Sequence, residues 1–189
     1  MQRYGEVCGG DISPVALEFA RRHFNGQLDE FSIPDKVPYE DASFDLIVAL
    51  DVLEHIEDDS GALQSVFRLL KPGGVLLLSV PALMILWSQH DTDHHHFRRY
   101  HRQPLRSLLV NAGFDVVRLS YMNSLNLPAI AAARWLWPNG PGNGRNLEAG
   151  TTKPMKLFEY VYTFEKYLLP FISLPLGSSL LGIARKPAE

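Results

Sequence analysis

Between positions 90 and 105 the chain reads HDTDHHHFRRYHRQPL, and five of its seven histidines fall there, beside Arg98, Arg99 and Arg102. An imidazole titrates near neutral pH, so it can take the proton of a hydroxyl as that oxygen forms a new bond. His95 and His96 are the candidates for such a base. Arg98 and Arg99 offer planar forks of donors for a carboxylate or phosphate on a substrate. Tyr100 offers a ring to stack and a hydroxyl to bond. Two other readings stand beside this one. The same side chains could simply fix a loop. Alternatively, His90, Asp91, Asp93, His94 and His96 supply nitrogen and oxygen donors of the kind that metals take. Their spacing matches no metal pattern, so no metal is expected.

A second group of candidates is acidic. Asp11 ends a short apolar run and stands just before Ser13 and Pro14, which open an amphipathic stretch. A carboxylate at that place can accept hydrogen bonds from a ligand, or it can help Ser13 cap the helix. Asp51 ends the apolar run FDLIVAL, residues 44–50, and Val52, Leu53, Glu54 and His55 follow it.

These side chains need a scaffold, and the sequence supplies one. Residues 6–10 read as a strand, and Pro14 suits the first turn of the helix after it, where a missing N–H needs no partner. FDLIVAL (44–50) and VLLLSV (75–80) are near-continuous apolar runs, the pattern of strands covered on both faces. A helix is predicted over 61–70, with Leu63, Val66, Phe67 and Leu70 on one side, and KPGG (71–74) stops it and turns the chain. Leu105, Leu108, Leu109 and Ala112 mark another helix, closed by Gly113. FDVVRLS (114–120) and SLLGIAR (179–185) read as further strands, with a helix near 155–168 and a Gly-, Pro- and Asn-rich loop at 138–154. Strands that alternate with helices indicate a doubly wound α/β sheet, in which ligands bind beyond the carboxyl ends of the strands. Asp11, Asp51 and the histidine-rich segment therefore share one rim.

Composition narrows the function. A net charge of −3 argues against a dedicated nucleic-acid binder, and the single cysteine, Cys8, allows neither an internal disulfide nor a thiolate zinc site. No secretory leader is recognisable, and Pro170 and Pro175 break the longest apolar stretch, so a cytoplasmic protein is expected.

GGDISPVALEFAR, VPYEDASFDLIVALDVLEHIEDD, LLKPGGVLLLSVPA and RRYHRQPLRSLLVNAGFDVVRLSY occur in an order and spacing that resembles the class I S-adenosylmethionine-dependent methyltransferases, in particular the branch with the ubiquinone-biosynthesis O-methyltransferases. The resemblance covers roughly residues 5–121. It implies a Rossmann-like sheet of strand order 3-2-1-4-5-7-6 and S-adenosyl-L-methionine as cofactor. It gives Asp11 the two ribose hydroxyls, Ile12 the adenine face, and Leu50 and Asp51 the methionine end. Asp29 and Ser32 both stand near the position of an adenine contact, and neither is assigned. Glu54 and His55 hold the loop or cap the next helix. No glycine-rich loop stands ahead of Asp11, and Gly9 and Gly10 lie inside the strand that it ends. The chain therefore reads as one methyltransferase domain, 1–189, truncated at its N-terminus so that the first strand is missing. Residues 122–178 read as a lid or acceptor-side insertion with the C-terminal helices. Trp135, Trp137, Tyr160 and Tyr162 would suit a small or lipophilic acceptor or a peripheral membrane contact, and self-association is compatible with the sequence. The rival reading is a non-catalytic interaction domain with a degenerate fold.

Overall fold

A computed structural model of the chain describes residues 5–128 except 36 and 126, residues 165 and 167–169, and residues 171–188. The predicted loop at 138–154, most of the predicted helix at 155–168, and Trp135, Trp137, Tyr160 and Tyr162 lie outside these residues.

The first strand, β1 (Cys8–Asp11), runs into helix α1 (Pro14–Arg21) through a cap in which the Ala16 N–H donates to Ser13 Oγ at 3.3 Å. Ser13 and Pro14 thus start the helix as their types predict. The next strand, β2 (Gln27–Glu30), pairs parallel with β1. A second sheet is built from β3 (Phe44–Leu50), β4 (Leu70–Pro81), β5 (Asp115–Met122) and β6 (Ser179–Arg185), in the order β3-β4-β6-β5. β3 and β4 are parallel, and β6 is antiparallel to both of its neighbours. Between them come helices α2 (Asp59–Leu69), α3 (Gln89–Asp93) and α4 (Arg102–Asn111).

Within each sheet the strands match the implied order, β2-β1 as its 3-2 and β3-β4-β6-β5 as its 4-5-7-6, and no strand among the described residues bonds to both β1 and β3. That explains a departure from expectation at FDLIVAL. A run so apolar should be covered on both faces, yet Leu46 and Leu50 are half exposed, β3 having a ladder partner on one side alone among the described residues. The two sheets are tied by a chain of aromatic edges. Phe31 meets Tyr39, Tyr39 meets Phe44 with centroids 5.1 Å apart, and the Tyr39 hydroxyl donates to Asp29 at 2.7 Å.

KPGG also behaves differently from its reading as a turn. Helix α2 ends at Leu69, strand pairing begins already at Leu70, and the register shift against β3 falls between Phe44 and Leu46. Gly73, with φ +79°, lets the strand absorb that irregularity.

The core lies on the larger sheet. Leu70, Leu76, Leu78 and Val80 of β4 are wholly buried with Leu105 and Leu109 of α4 and with Leu180 and Ala184 of β6. Alternation of large and small residues makes this possible. Gly182 sits opposite Leu78, and a Cβ there would stand 3.0 Å from that leucine and 3.3 Å from Leu119 of β5. At the end of α4, Gly113 takes φ +100° and places its Cα against the Phe67 ring. No helix among the described residues is long and apolar enough to cross a membrane.

Candidate active site

The carboxyl ends of β1, β3 and β4 carry the expected residues, and each is held by its local backbone. Asp11 is exposed; its Oδ1 accepts the Ser13 N–H at 2.8 Å, while Oδ2 has no partner among the described residues. The two readings of Asp11 are therefore compatible, one oxygen ordering the helix start and the other turned to solvent. Ile12 beside it is 69% exposed, an unusual position for a large aliphatic side chain next to a strand end. Asp51 takes a left-handed φ of +52°, its N–H donates to the Ser79 carbonyl at 2.9 Å, and its Oδ1 accepts the Ser79 hydroxyl at 3.1 Å. A non-glycine residue held at positive φ by a neighbouring strand marks a constrained carboxylate at the rim. Asp29, left unassigned, is taken up by Tyr39 and Gln27.

Beyond β4 the chain makes a closed excursion. Ala82 bridges Tyr100, the Leu83 N–H donates to the Tyr100 carbonyl at 3.0 Å, and the Tyr100 N–H donates to the Pro81 carbonyl at 2.8 Å. The histidine-rich segment is thus a loop pinned at its neck. It is also clamped onto the turn after β3, because the Phe97 N–H donates to the Glu54 carbonyl at 2.8 Å and Arg98 Nη2 donates to the Glu57 carbonyl at 2.6 Å.

Asp91 is the hub of that loop. It is fully buried, and it accepts the Ser88 N–H and hydroxyl, Arg99 Nε at 2.7 Å and the His96 ring through Nδ1 at 3.1 Å. Burial alone would raise its pKa; the Arg99 guanidinium, with help from Ser88 and His96, outweighs that and holds it below the usual carboxylate value.

Arg99 and Tyr100, expected to meet a substrate, are both buried. Arg99 is taken by Asp91 and the Ala82 carbonyl. The Tyr100 hydroxyl donates to Asp59 Oδ2 at 2.9 Å and lies 3.3 Å from the Leu53 carbonyl. Burial first, and then the Asp59 carboxylate, push that phenol above its ordinary pKa, so it stays a donor. Arg98, one third exposed, pairs with the same Asp59 at 2.6 Å. His95 sits at the loop tip with φ +57° and is exposed, whereas His96 is turned inward onto Asp91.

Sequence reasoning gave Glu54 and His55 a supporting part, and the structure gives them more. Glu54 is fully buried, and neither carboxylate oxygen has a hydrogen-bond partner among the described residues. Burial pushes its pKa up to about 7; its own backbone N–H and the Arg99 charge offset this in part, while Asp51 and Asp91 add to it. His55 stands edge-on to His96, with ring centroids 4.6 Å apart. Its pKa is lowered, by burial first and then by the neighbouring His96 ring. The signal for Glu54 was present as a carboxylate inside an apolar stretch, but its burial depends on a loop more than forty residues away in sequence.

Comparison with known proteins bears on the fold. The family model described as a methyltransferase domain matches residues 1–78. A probable S-adenosylmethionine-dependent methyltransferase of Mycolicibacterium smegmatis is 37% identical over 118 residues, which are 58% of this chain and 44% of that protein. A ubiquinone biosynthesis O-methyltransferase of Alkalilimnicola ehrlichii is 31% identical over 83 residues, 41% of this chain and 34% of that protein. The chain therefore spans less than half the length of these curated relatives. Among solved structures, the fold is similar to the complex of a methyltransferase with the Haloferax volcanii Trm112 methyltransferase activator, at TM-score 0.63 and 20% identity over 97% of this chain and 73% of that one. It is similar also to an S-adenosylmethionine-dependent methyltransferase from Mesorhizobium loti, at TM-score 0.61 and 17% identity over 98% of this chain and 83% of that one.

Proposed function

We propose that the chain, which is similar to class I S-adenosylmethionine-dependent methyltransferases, is itself one, binding S-adenosylmethionine along the rim of Asp11 and Asp51 and methylating a small or lipophilic acceptor held by the histidine-rich loop. The observation that carries this reading is the strand order within the two sheets, β2-β1 and β3-β4-β6-β5, with Asp11 at the carboxyl end of β1 and Asp51 just after that of β3.

The residues on the page fit the cofactor in kind. Asp11 keeps one carboxylate oxygen open and can accept hydrogen bonds from a vicinal diol. Ile12 and Leu50 are exposed and offer apolar cover for an aromatic base and an aliphatic chain. The stretch Gly140, Pro141, Gly142, Asn143, Gly144 spells the glycine-rich pattern implied by the family and lies outside the described residues. When bound, S-adenosylmethionine supplies an activated methyl group on a sulfonium.

The acceptor side follows from the loop. A proton acceptor must reach both substrate and solvent, which assigns that part to His95 rather than to the inward-facing His96. Arg98 retains partial access and is the cation for an anionic acceptor group. Arg99 and Tyr100 act as positioning residues through Asp91 and Asp59. The exposed side chains of Met84, Ile85 and Phe97 on the same excursion favour a lipophilic acceptor, in keeping with the ubiquinone-pathway names of the relatives. In this reading the chain is one domain, and most of residues 122–178, expected on the acceptor side, lie outside the described residues.

Calorimetric titration with S-adenosylhomocysteine tests the proposal. The wild-type chain is expected to bind in the micromolar range, and Asp11→Ala to weaken binding about 10- to 100-fold, the loss of charge-assisted hydrogen bonds to the ribose. A folded wild-type chain that does not bind refutes the reading.

A further inference from the structure

We propose that Glu54, His55 and His96 form a binding site for a divalent transition-metal cation of the zinc type, at the junction of the turn after β3 and the histidine-rich loop. One ligating atom from each of the three lies within 4.8 Å of the others. Ligand atoms around a tetrahedral ion with bonds of about 2.1 Å stand roughly 3.4 Å apart, so closure needs side-chain movements on the order of 1 Å. Such movements are small for one exposed and two loop-borne residues.

Three independent features point to a cation there. The first is Glu54. A carboxylate with both oxygens buried and no hydrogen-bond partner among the described residues is costly, and a cation is a partner that removes the cost. The second is the outer shell of His96. Its Nδ1 faces Asp91 at 3.1 Å, and Asp91 is in turn fixed by Arg99 and Ser88. A carboxylate on one imidazole nitrogen leaves Nε2 as the ligating atom and sets the ring's orientation, the arrangement found behind metal-bound histidines. The third is rigidity. Glu54 and His55 are consecutive in one short turn, and the Phe97 N–H, next to His96, is bonded to the Glu54 carbonyl. Both halves of the site are therefore fixed to each other before any ion arrives.

The donor set selects the metal. Two imidazoles and one carboxylate suit zinc and its first-row neighbours and are poor for magnesium or calcium, which take oxygen ligands. Both nearby guanidinium groups are paired, Arg98 with Asp59 and Arg99 with Asp91, so neither opposes a cation as a bare charge. Three protein ligands leave one coordination position for water or an oxygen of a bound molecule. Spacing along HDTDHHH gave no such site, because two of the three ligands come from the other loop. The inference stands on these contacts and not on the methyltransferase reading.

The test is metal titration of the full chain after dialysis against a chelator. ZnCl2 is expected to bind with a stoichiometry of one, and CoCl2 to give the visible absorption of a tetrahedral site. His55→Ala changes an exposed residue, so it keeps the fold, and is expected to weaken zinc binding at least about 10-fold and to abolish the cobalt spectrum. His96→Ala is expected to do the same. The control is the paired variant His90→Ala with His94→Ala, since those rings lie tilted with centroids 4.0 Å apart and offer the competing pair of donors. Binding that is absent in the wild type, unchanged in His55→Ala, or lost in the His90 and His94 control overturns the proposal.

Discussion

Replacing Arg99 by Met separates two accounts of the histidine-rich loop. If the guanidinium meets an acceptor, the variant should fold as well as the wild type and lose affinity for that acceptor. The structure makes the opposite demand. Arg99 is nearly buried, its Nε donates to the fully buried Asp91 at 2.7 Å, and Nη1 donates to the Ala82 carbonyl at 3.1 Å. Removing one partner of a buried ion pair costs about 3–5 kcal/mol, because the other charge stays behind unpaired. Asp91 would keep the Ser88 N–H and hydroxyl and the His96 ring, so the lower end, about 3 kcal/mol, is expected. In a domain of this size each kcal/mol lowers Tm by roughly 2–4 °C, which gives a drop of about 6–12 °C. Urea unfolding followed by circular dichroism measures it, and a cycle with Asp91→Asn should give a coupling energy of about 1–3 kcal/mol. An Arg99→Met variant within about 0.5 kcal/mol of wild type, with its effect confined to acceptor affinity, would refute the buried-pair argument.

Other perturbations have defined outcomes. Tyr100→Phe removes a buried hydroxyl that donates to Asp59, and a loss of about 1–2 kcal/mol is expected by the same unfolding assay. Gly113→Ala meets both a φ of +100° and the Phe67 ring at 3.0 Å, whereas Gly73→Ala meets a φ of +79° in open space. Gly113→Ala should therefore cost about 1–3 kcal/mol, clearly more than Gly73→Ala, and equal effects would mean that Phe67 yields freely. Glu54→Leu, measured in a chelator, is expected to leave stability unchanged or raised, since it removes a buried carboxylate without hydrogen-bond partners among the described residues. A large loss in that variant would show that Glu54 has a donor partner in solution.

Much of the scaffold could be read from local chemistry. FDLIVAL and SLLGIAR became strands at their predicted bounds, and Ser13, Pro14 and Gly113 start or end helices as their backbone preferences require. These are short-range effects, set by side-chain bulk, a missing N–H or a missing Cβ. KPGG misled because Pro and Gly punctuate a turn equally well at a bulge inside a strand, and only the pairing of Leu70 with Phe44 distinguishes the two. The exposure of Leu46 and Leu50 was equally out of reach, since apolar runs report what a strand could cover and not which neighbours it has.

The site divides along the same line. Sequence by itself determined the residue types on the rim, the carboxylates Asp11 and Asp51 at strand ends and the histidines and arginines after β4, because strand-then-helix order alone places them there. Only the tertiary structure decided their surroundings. It buried Arg99 and Tyr100, left His95 outside, and joined Glu54 and His55 to His96 across forty residues of chain. The reason is physical: whether a polar side chain faces a ligand or a neighbour depends on which donors surround it in space, and those donors here belong to a different loop.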